Sequence, residues 1–207
     1  MVRLVLASGS PARQMLLQRL GRPFTTLVPD ISERERRGET AAGLAGRLAE
    51  AKAEWGASNF SENALVEEDD LEDSPSQVLV IGSDQTAELD GELLRKPGNA
   101  RAAAAQLKRA SGREVRFHTG LALLNATTGS LRVSVEPFSV VFRDLDKDEI
   151  RRYVQADRPF SQVGAFKAES LGISLFTRVS GPDPTALIGL PLIRLTEFLR
   201  AEGVRVP

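Results

Sequence analysis

Leu4-Val5-Leu6-Ala7-Ser8-Gly9-Ser10-Pro11-Ala12-Arg13 reads, within ten residues, as the end of a strand, a tight turn and the start of a helix. The apolar run through Ala7 suits a buried strand. Ser10 followed by Pro11 is a helix-start signal, because the serine hydroxyl can cap a free N–H and proline belongs at the first helical position. The helix then runs to about Leu20, with Gly21 as its stop. Free backbone N–H groups and the helix dipole at such a turn attract phosphate. Arg13 is a cation in a first helical turn, where it opposes the dipole, and a bound anion would remove that conflict. No Gly-rich Lys-Ser/Thr loop of the P-loop kind is present.

Working outward, a short strand is predicted over Phe24–Val28, a helix from Thr40 to about Trp55, and a buried strand over Val78–Ile81 that ends at Gly82-Ser83-Asp84-Gln85. Asp90-Gly91, between Ala87-Glu88-Leu89 and Glu92-Leu93-Leu94, is a strong hairpin signal. A helix is expected near 99–110, long strands near 113–125 and 131–143, and a helix near 146–155. A strand over Gly172–Val179 and a last helix over Thr185–Ala201 complete the order. Adjacent strands mixed with alternating helices indicate an α/β fold, a mixed sheet flanked by helices.

The 207 residues suit one domain, with 42% apolar and 27% charged residues, an ordinary globular composition. The absence of cysteine excludes disulfides, a thiol nucleophile and a cysteine-ligated metal, and the single His118 leaves no multi-histidine site. The opening apolar run is shorter than the 7–15 residues of a signal peptide, and nothing approaches a membrane span, so a cytoplasmic location is expected. Residues 57–76 carry seven acids and no base, and read as an acidic loop insertion. With those seven set aside, 27 bases face 21 acids, a formal +6 that suits a small polyanion as well as it suits ordinary surface scatter.

Three further positions carry candidate chemistry. Lys52 falls inside the apolar stripe Ala41, Leu44, Ala45, Leu48 and Trp55, so its ammonium either snorkels to solvent or meets an anion. Asp84 sits at a buried strand's end, where sites in α/β sheets concentrate, and could act as a general base or hold a metal. Lys96 returns a cation towards the same place. Hydrolysis of a triphosphate at its α-phosphorus needs this set: a positioned water, a base, and cations for the polyphosphate. His118 and Trp55 read as packing residues. Arg34, Arg36 and Arg37 read as solvated loop charge, because no aromatics interleave with them as in a nucleic-acid binder.

These residues, with Glu33, Ala51-Lys52-Ala53, Lys96-Pro97, Thr119-Gly120 and Gly189-Leu190-Pro191-Leu192, resemble the Maf family of nucleotide pyrophosphatases along nearly the whole chain. The resemblance implies a single domain of inosine-triphosphatase-like fold, elongated, with a central cleft between two lobes. It also implies cleavage of nucleoside triphosphates to monophosphate and diphosphate, a divalent cation (Mg²⁺, Mn²⁺ or Co²⁺), a homodimer, and neither nucleic-acid polymer nor membrane as partner. Carried over residue by residue, Asp84 is the proton acceptor. Arg13, Lys52 and Lys96 contact the polyphosphate, Ser8 and Ser10 belong to the substrate-binding turn, and Glu33 stands beside the metal and the attacking water.

Gln85 after the aspartate, His118-Thr119-Gly120 and Gly164-Ala165-Phe166-Lys167-Ala168-Glu169 are similar to the branch that hydrolyses 7-methyl-GTP; the dTTP/UTP branch shows Asp-Thr at the first of these. If 166–169 is extended, Lys167 and Glu169 share a face from which Glu169 could meet a guanine edge. Ala12 departs from the family's usual arginine at a position tied to substrate choice. The alternatives are the same chemistry on dTTP and UTP, and a non-catalytic nucleotide-binding regulator of cell division.

Overall fold

Strand β1 (Val2–Ala7) is buried on both faces, with Leu4 and Leu6 facing one layer of helices and Val5 and Ala7 the other. In the computed structural model, which describes residues 2–60 and 77–206, β1 lies inside a seven-stranded mixed sheet. After β1 come α1 (Pro11–Gln18), β2 (Phe24–Leu27), α2 (Ala41–Asn59), β3 (Gln77–Leu89) and β4 (Glu92–Leu94). Then follow α3 (Ala100–Ala110), β5 (Glu114–Asn125), β6 (Leu131–Phe142), α4 (Lys147–Asp157), β7 (Phe176–Ser180), α5 (Pro184–Ile188) and α6 (Leu192–Ala201). The sheet order is β2-β1-β3-β5-β6-β7, with β4 folded back on β3. β1 pairs in parallel with β2 and β3; the remaining pairs are antiparallel. Helix starts follow the cap chemistry: Ser10, Thr40, Asn99 and Asp146 each accept from a backbone N–H three residues on.

Long strands span two cores. In one, α1 and α6 cover Leu4, Leu6, Leu79, Ile81, Leu121 and Leu123. In the other, α3 and α4 cover Ala87, Phe117, Phe138, Val140 and Phe142. A 13-residue strand such as β3 reaches about 40 Å, which lets a single strand serve both. Helix α2 lies directly on the sheet across its opposite face. A Cβ on Gly82 would stand 2.1 Å from the Ala49 carbonyl oxygen, and one on Gly120 2.1 Å from that of Ala45, so neither position tolerates a side chain.

Several expectations are corrected. β3 does not end at Gly82; it leaves β1 there, at the Ala7–Gly82 pair, and continues beside β5 and β4 to Leu89. Asp84 therefore sits mid-strand, just past the end of β1. Helix α2 runs beyond Trp55 to Asn59, so the first residues assigned to the acidic insertion are helical, while 61–76 lie outside the described residues. The strand over 172–179 shrinks to β7, since residues 171–175 form a 3-10 turn. The last helix is two helices, parted where Gly189 takes φ 123° and Pro191 supplies no N–H. Asp90-Gly91 makes the expected two-residue hairpin, with φ of 51° and 81°. Among the described residues no helix is long and apolar enough to cross a membrane.

Candidate active site

Because α2 rests so close to β3, Lys52 cannot reach solvent by extending along the stripe. Its Nζ turns instead to Asp84 Oδ1 at 2.6 Å and Glu33 Oε1 at 2.7 Å. Lys52 and Asp84 are both buried. Glu33 reaches them from the irregular segment between β2 and α2 and also accepts from Lys96 Nζ at 3.3 Å. Burial pushes the Glu33 carboxyl up, but hydrogen bonds and charge from Lys52, then from Lys96, outweigh it and bring its pKa to about 2. The segment is strapped at two further points: Glu39 pairs with Arg47 through both oxygens at 2.6 and 2.7 Å, and Glu35 with Arg95 at 2.7 Å.

The opening turn faces the same cleft. Ser10 caps α1, its Oγ accepting from the Arg13 N–H at 3.4 Å, and Ser8 Oγ accepts from the Ser10 N–H at 3.2 Å. The Arg13 side chain folds back, donating from Nε to the Gly189 carbonyl at 2.8 Å and from one terminal nitrogen to Ser8 Oγ at 3.4 Å. Burial pulls the guanidinium pKa down, and the charges of Asp84 and Glu33 oppose it. The Gly189 carbonyl also accepts from the fully buried Ser83 hydroxyl at 2.9 Å. One buried carboxylate, Asp183, holds this junction: it accepts from the Thr185 N–H and hydroxyl at the start of α5 and from the Ile193 N–H at the start of α6.

The cleft has a volume of about 360 Å³ and is lined by Ser8, Ser10, Arg13, Glu33, Lys52, Asp84, Gln85 and Lys96, among others. Ser161, Gln162 and Val163 close one side. A second chamber of about 290 Å³ shares Glu33, Asp84, Gln85, Lys96 and Val163 with the first and adds an apolar floor from Leu44, Leu48, Leu93 and Leu94. Eight of the residues singled out in the sequence thus meet in one place. Ala12 is not among the lining residues. Neither is Glu169: residues 168–170 form a turn rather than an extended face, Glu169 is exposed, and the Lys167 ammonium is drawn to the Asp157 carbonyl at 2.7 Å. His118 lies near Glu88, at 3.4 Å, outside the cleft. Ser83, Thr119 and the 161–163 segment had no role assigned from sequence; hydroxyls in strands are common, and the Gly82-Ser83-Asp84-Gln85, Thr119-Gly120 and Gly189-Leu190-Pro191-Leu192 signatures marked only their surroundings.

Among the described residues no group of three or more acids or histidines could cage a metal ion. Glu33 and Asp84, both touching one ammonium, offer the smaller carboxylate set that suits a Mg²⁺-type ion completing its shell with phosphate oxygens and water.

The model of Maf-like proteins matches residues 3–202. The chain belongs to the Maf family. A 7-methyl-GTP pyrophosphatase from Pseudomonas aeruginosa is 48% identical over 204 residues, covering 99% of this chain and 98% of that protein. One from Pseudomonas syringae pv. tomato is 48% identical over 207 residues, covering all of both. Among solved structures, a nucleoside-triphosphatase / dITP/XTP pyrophosphatase from Mycobacterium abscessus matches 70% of this chain and 76% of its own at 16% identity, with a TM-score of 0.40, too low to support any inference. Arg13, Lys52 and Lys96 thus share one cleft with the carboxylates of Glu33 and Asp84.

Proposed function

We propose that this Maf family chain hydrolyses 7-methyl-GTP to 7-methyl-GMP and diphosphate, acting in the cytoplasm as a homodimer with a divalent cation. The observation that carries the chemistry is the buried Lys52 ammonium held between Asp84 and Glu33 beside Arg13 and Lys96. The substrate follows from the full-length relatives named for it.

In this reading the triphosphate lies against the opening turn, its charge met by Arg13, Lys52 and Lys96. Asp84 takes a proton from a water whose oxygen bonds to the α-phosphorus. The bond from that phosphorus to the bridging oxygen breaks, and diphosphate leaves with the bridging oxygen's electron pair. Lys52 keeps Asp84 aimed until the nucleotide's own charge enters the site. Glu33, together with Asp84, would hold a divalent cation, which supplies charge neutralisation at the phosphates when bound.

Diphosphate release should be measured with Mg²⁺ on 7-methyl-GTP, GTP, dTTP, UTP and CTP, for the wild type and Asp84→Asn, with and without chelator. Selective cleavage of 7-methyl-GTP, lost in the variant and on chelation, is the expected result. Preference for dTTP and UTP would move the substrate to the other branch. No release from any nucleotide would leave a nucleotide-binding regulator.

A further inference from the structure

Gln85 lines both chambers, and its amide nitrogen is fully engaged away from them. Nε2 lies 2.8 Å from the Ala186 carbonyl, 3.2 Å from the Leu187 carbonyl and 3.0 Å from Thr119 Oγ1. Backbone carbonyls can only accept, so the branch of the amide that meets Ala186 and Leu187 must be the NH₂. The Thr119 hydroxyl spends its own hydrogen on the Ala186 carbonyl, at 2.8 Å, and therefore turns a lone pair towards Nε2. Thr119 is fully buried, so no water competes for that arrangement. Turning the amide over would set its oxygen against two carbonyls and take its donor from that of Leu187, which the Thr119 hydroxyl does not reach. None of the described hydrogen bonds engages Gln85 Oε1.

We propose that Thr119 is a positioning residue which, with the carbonyl end of α5, locks Gln85 so that its carbonyl oxygen, not its NH₂, is presented to the nucleotide base. The inference rests on the 7-methyl-GTP reading and gives it a chemical basis. Guanine carries hydrogen-bond donors at N1 and at the 2-amino group, which an acceptor in the cleft wall matches. Adenine places an unprotonated N1 in the same position and would set acceptor against acceptor. A site that must hydrogen-bond a substrate rejects the analogue that cannot do so more strongly than an apolar wall rejects a size difference.

The test compares diphosphate release from 7-methyl-GTP and 7-methyl-ATP in the wild type, Thr119→Val and Thr119→Ser. The valine keeps the shape of threonine but loses the acceptor, so the NH₂ is held by the two carbonyls alone and the amide is less firmly fixed. The guanine-to-adenine ratio of kcat/KM is expected to fall about tenfold, the size of one hydrogen bond, and serine is expected to restore it. Side-chain amide NMR of the wild type gives a reading that needs no activity and no folded variant: both Gln85 Nε2 protons should exchange slowly with solvent. An unchanged ratio in a folded Thr119→Val, or Gln85 protons exchanging like those of an exposed glutamine, would overturn the proposal. If the wild type does not cleave 7-methyl-GTP, the substrate reading falls, while the exchange rates still decide how Gln85 is oriented.

Discussion

Arg13 Nε and the carbonyl oxygen of Gly189 are 2.8 Å apart across 176 positions of chain, and that bond sets the direction of the guanidinium in the cleft. A flexible arginine would have to be ordered by its substrate; here the ordering is done on folding, which lowers the entropy cost of binding a phosphate.

Gly189→Ala should therefore damage function beyond its effect on stability. Its φ of 123° is closed to residues with a Cβ, and the added carbon would stand 3.4 Å from Arg13 Nε. Strain of about 1–3 kcal/mol is expected, seen as a Tm lower by roughly 2–4 °C per kcal/mol, together with a raised KM for the nucleotide. A fall in Tm with KM unchanged would mean that Arg13 holds its direction without this carbonyl.

Removing the cation between the acids should be more severe. Lys52→Met keeps the length and apolar stem but removes the ammonium that Asp84 and Glu33 share, leaving only Lys96 on Glu33. Diphosphate release is expected to fall by about 10²-fold or more. Burial already pushes the Glu33 carboxyl up, and Lys52 leads the interactions that pull it down, so in the variant Glu33 should ionise at a higher pH and the remaining activity should need a higher pH than the wild type. A rate within a few-fold of the wild type would remove Lys52 from the machinery.

Gly82→Ala tests the close approach of α2. The new methyl would have to displace helix backbone, since the Ala49 oxygen and the Ala53 nitrogen lie 2.1 and 2.6 Å from where it would sit. Lifting α2 from the sheet costs about 1–3 kcal/mol or more and draws Lys52 away from Asp84. Both Tm and kcat should fall, and the loss of rate should persist at temperatures where the variant is fully folded.

Glu202 supplies a dependence on pH away from the site. Its carboxylate accepts from Asn125 at 2.9 Å, Arg132 at 3.2 Å and Ser130 at 3.5 Å, tying the end of α6 to the β5–β6 turn. The hydrogen bond from Asn125 leads in holding its pKa below the ordinary value, burial opposes it, and Arg132 adds to the lowering. A carboxyl with a depressed folded pKa contributes stability above its unfolded pKa, about 4.3, and loses it as pH falls through the folded value. Glu202→Gln should melt several degrees below the wild type at pH 7, and the gap should close below about pH 4. A gap independent of pH would assign the effect to packing.

Local chemistry made much of this legible. Asp90-Gly91 and the four capping residues act within a few positions of themselves, so their turns and helix starts could be read directly. Lys52 and Asp84 stood out because each is a charge where the pattern calls for an apolar residue. Gly82-Ser83-Asp84-Gln85 was misread as the end of a strand because its small and polar residues look like a turn; they are small because α2 lies on them, a tertiary fact. The extended path on which Glu169 would meet a guanine edge is not taken, because 166–170 is held by Asp157 and Tyr153, which bond the Lys167 side chain and backbone. Thr119 acts through the Ala186 carbonyl of α5 and Ser83 through the Gly189 carbonyl just past it, 67 and 106 positions away, and no local pattern announces such partners.

The double cap by Asp183 has a consequence for the order in which the molecule becomes competent. The strands, α2 and nearly every acid and base of the cleft are present once the ribosome has made the first 180 residues, yet Arg13 and Gln85 still lack the carbonyls that orient them. A nascent chain would hold the parts of a hydrolase without the direction of Arg13 and Gln85 until α5 and α6 emerge and close over the first turn. Activity thereby depends on the docking of α5 and α6 onto the first turn.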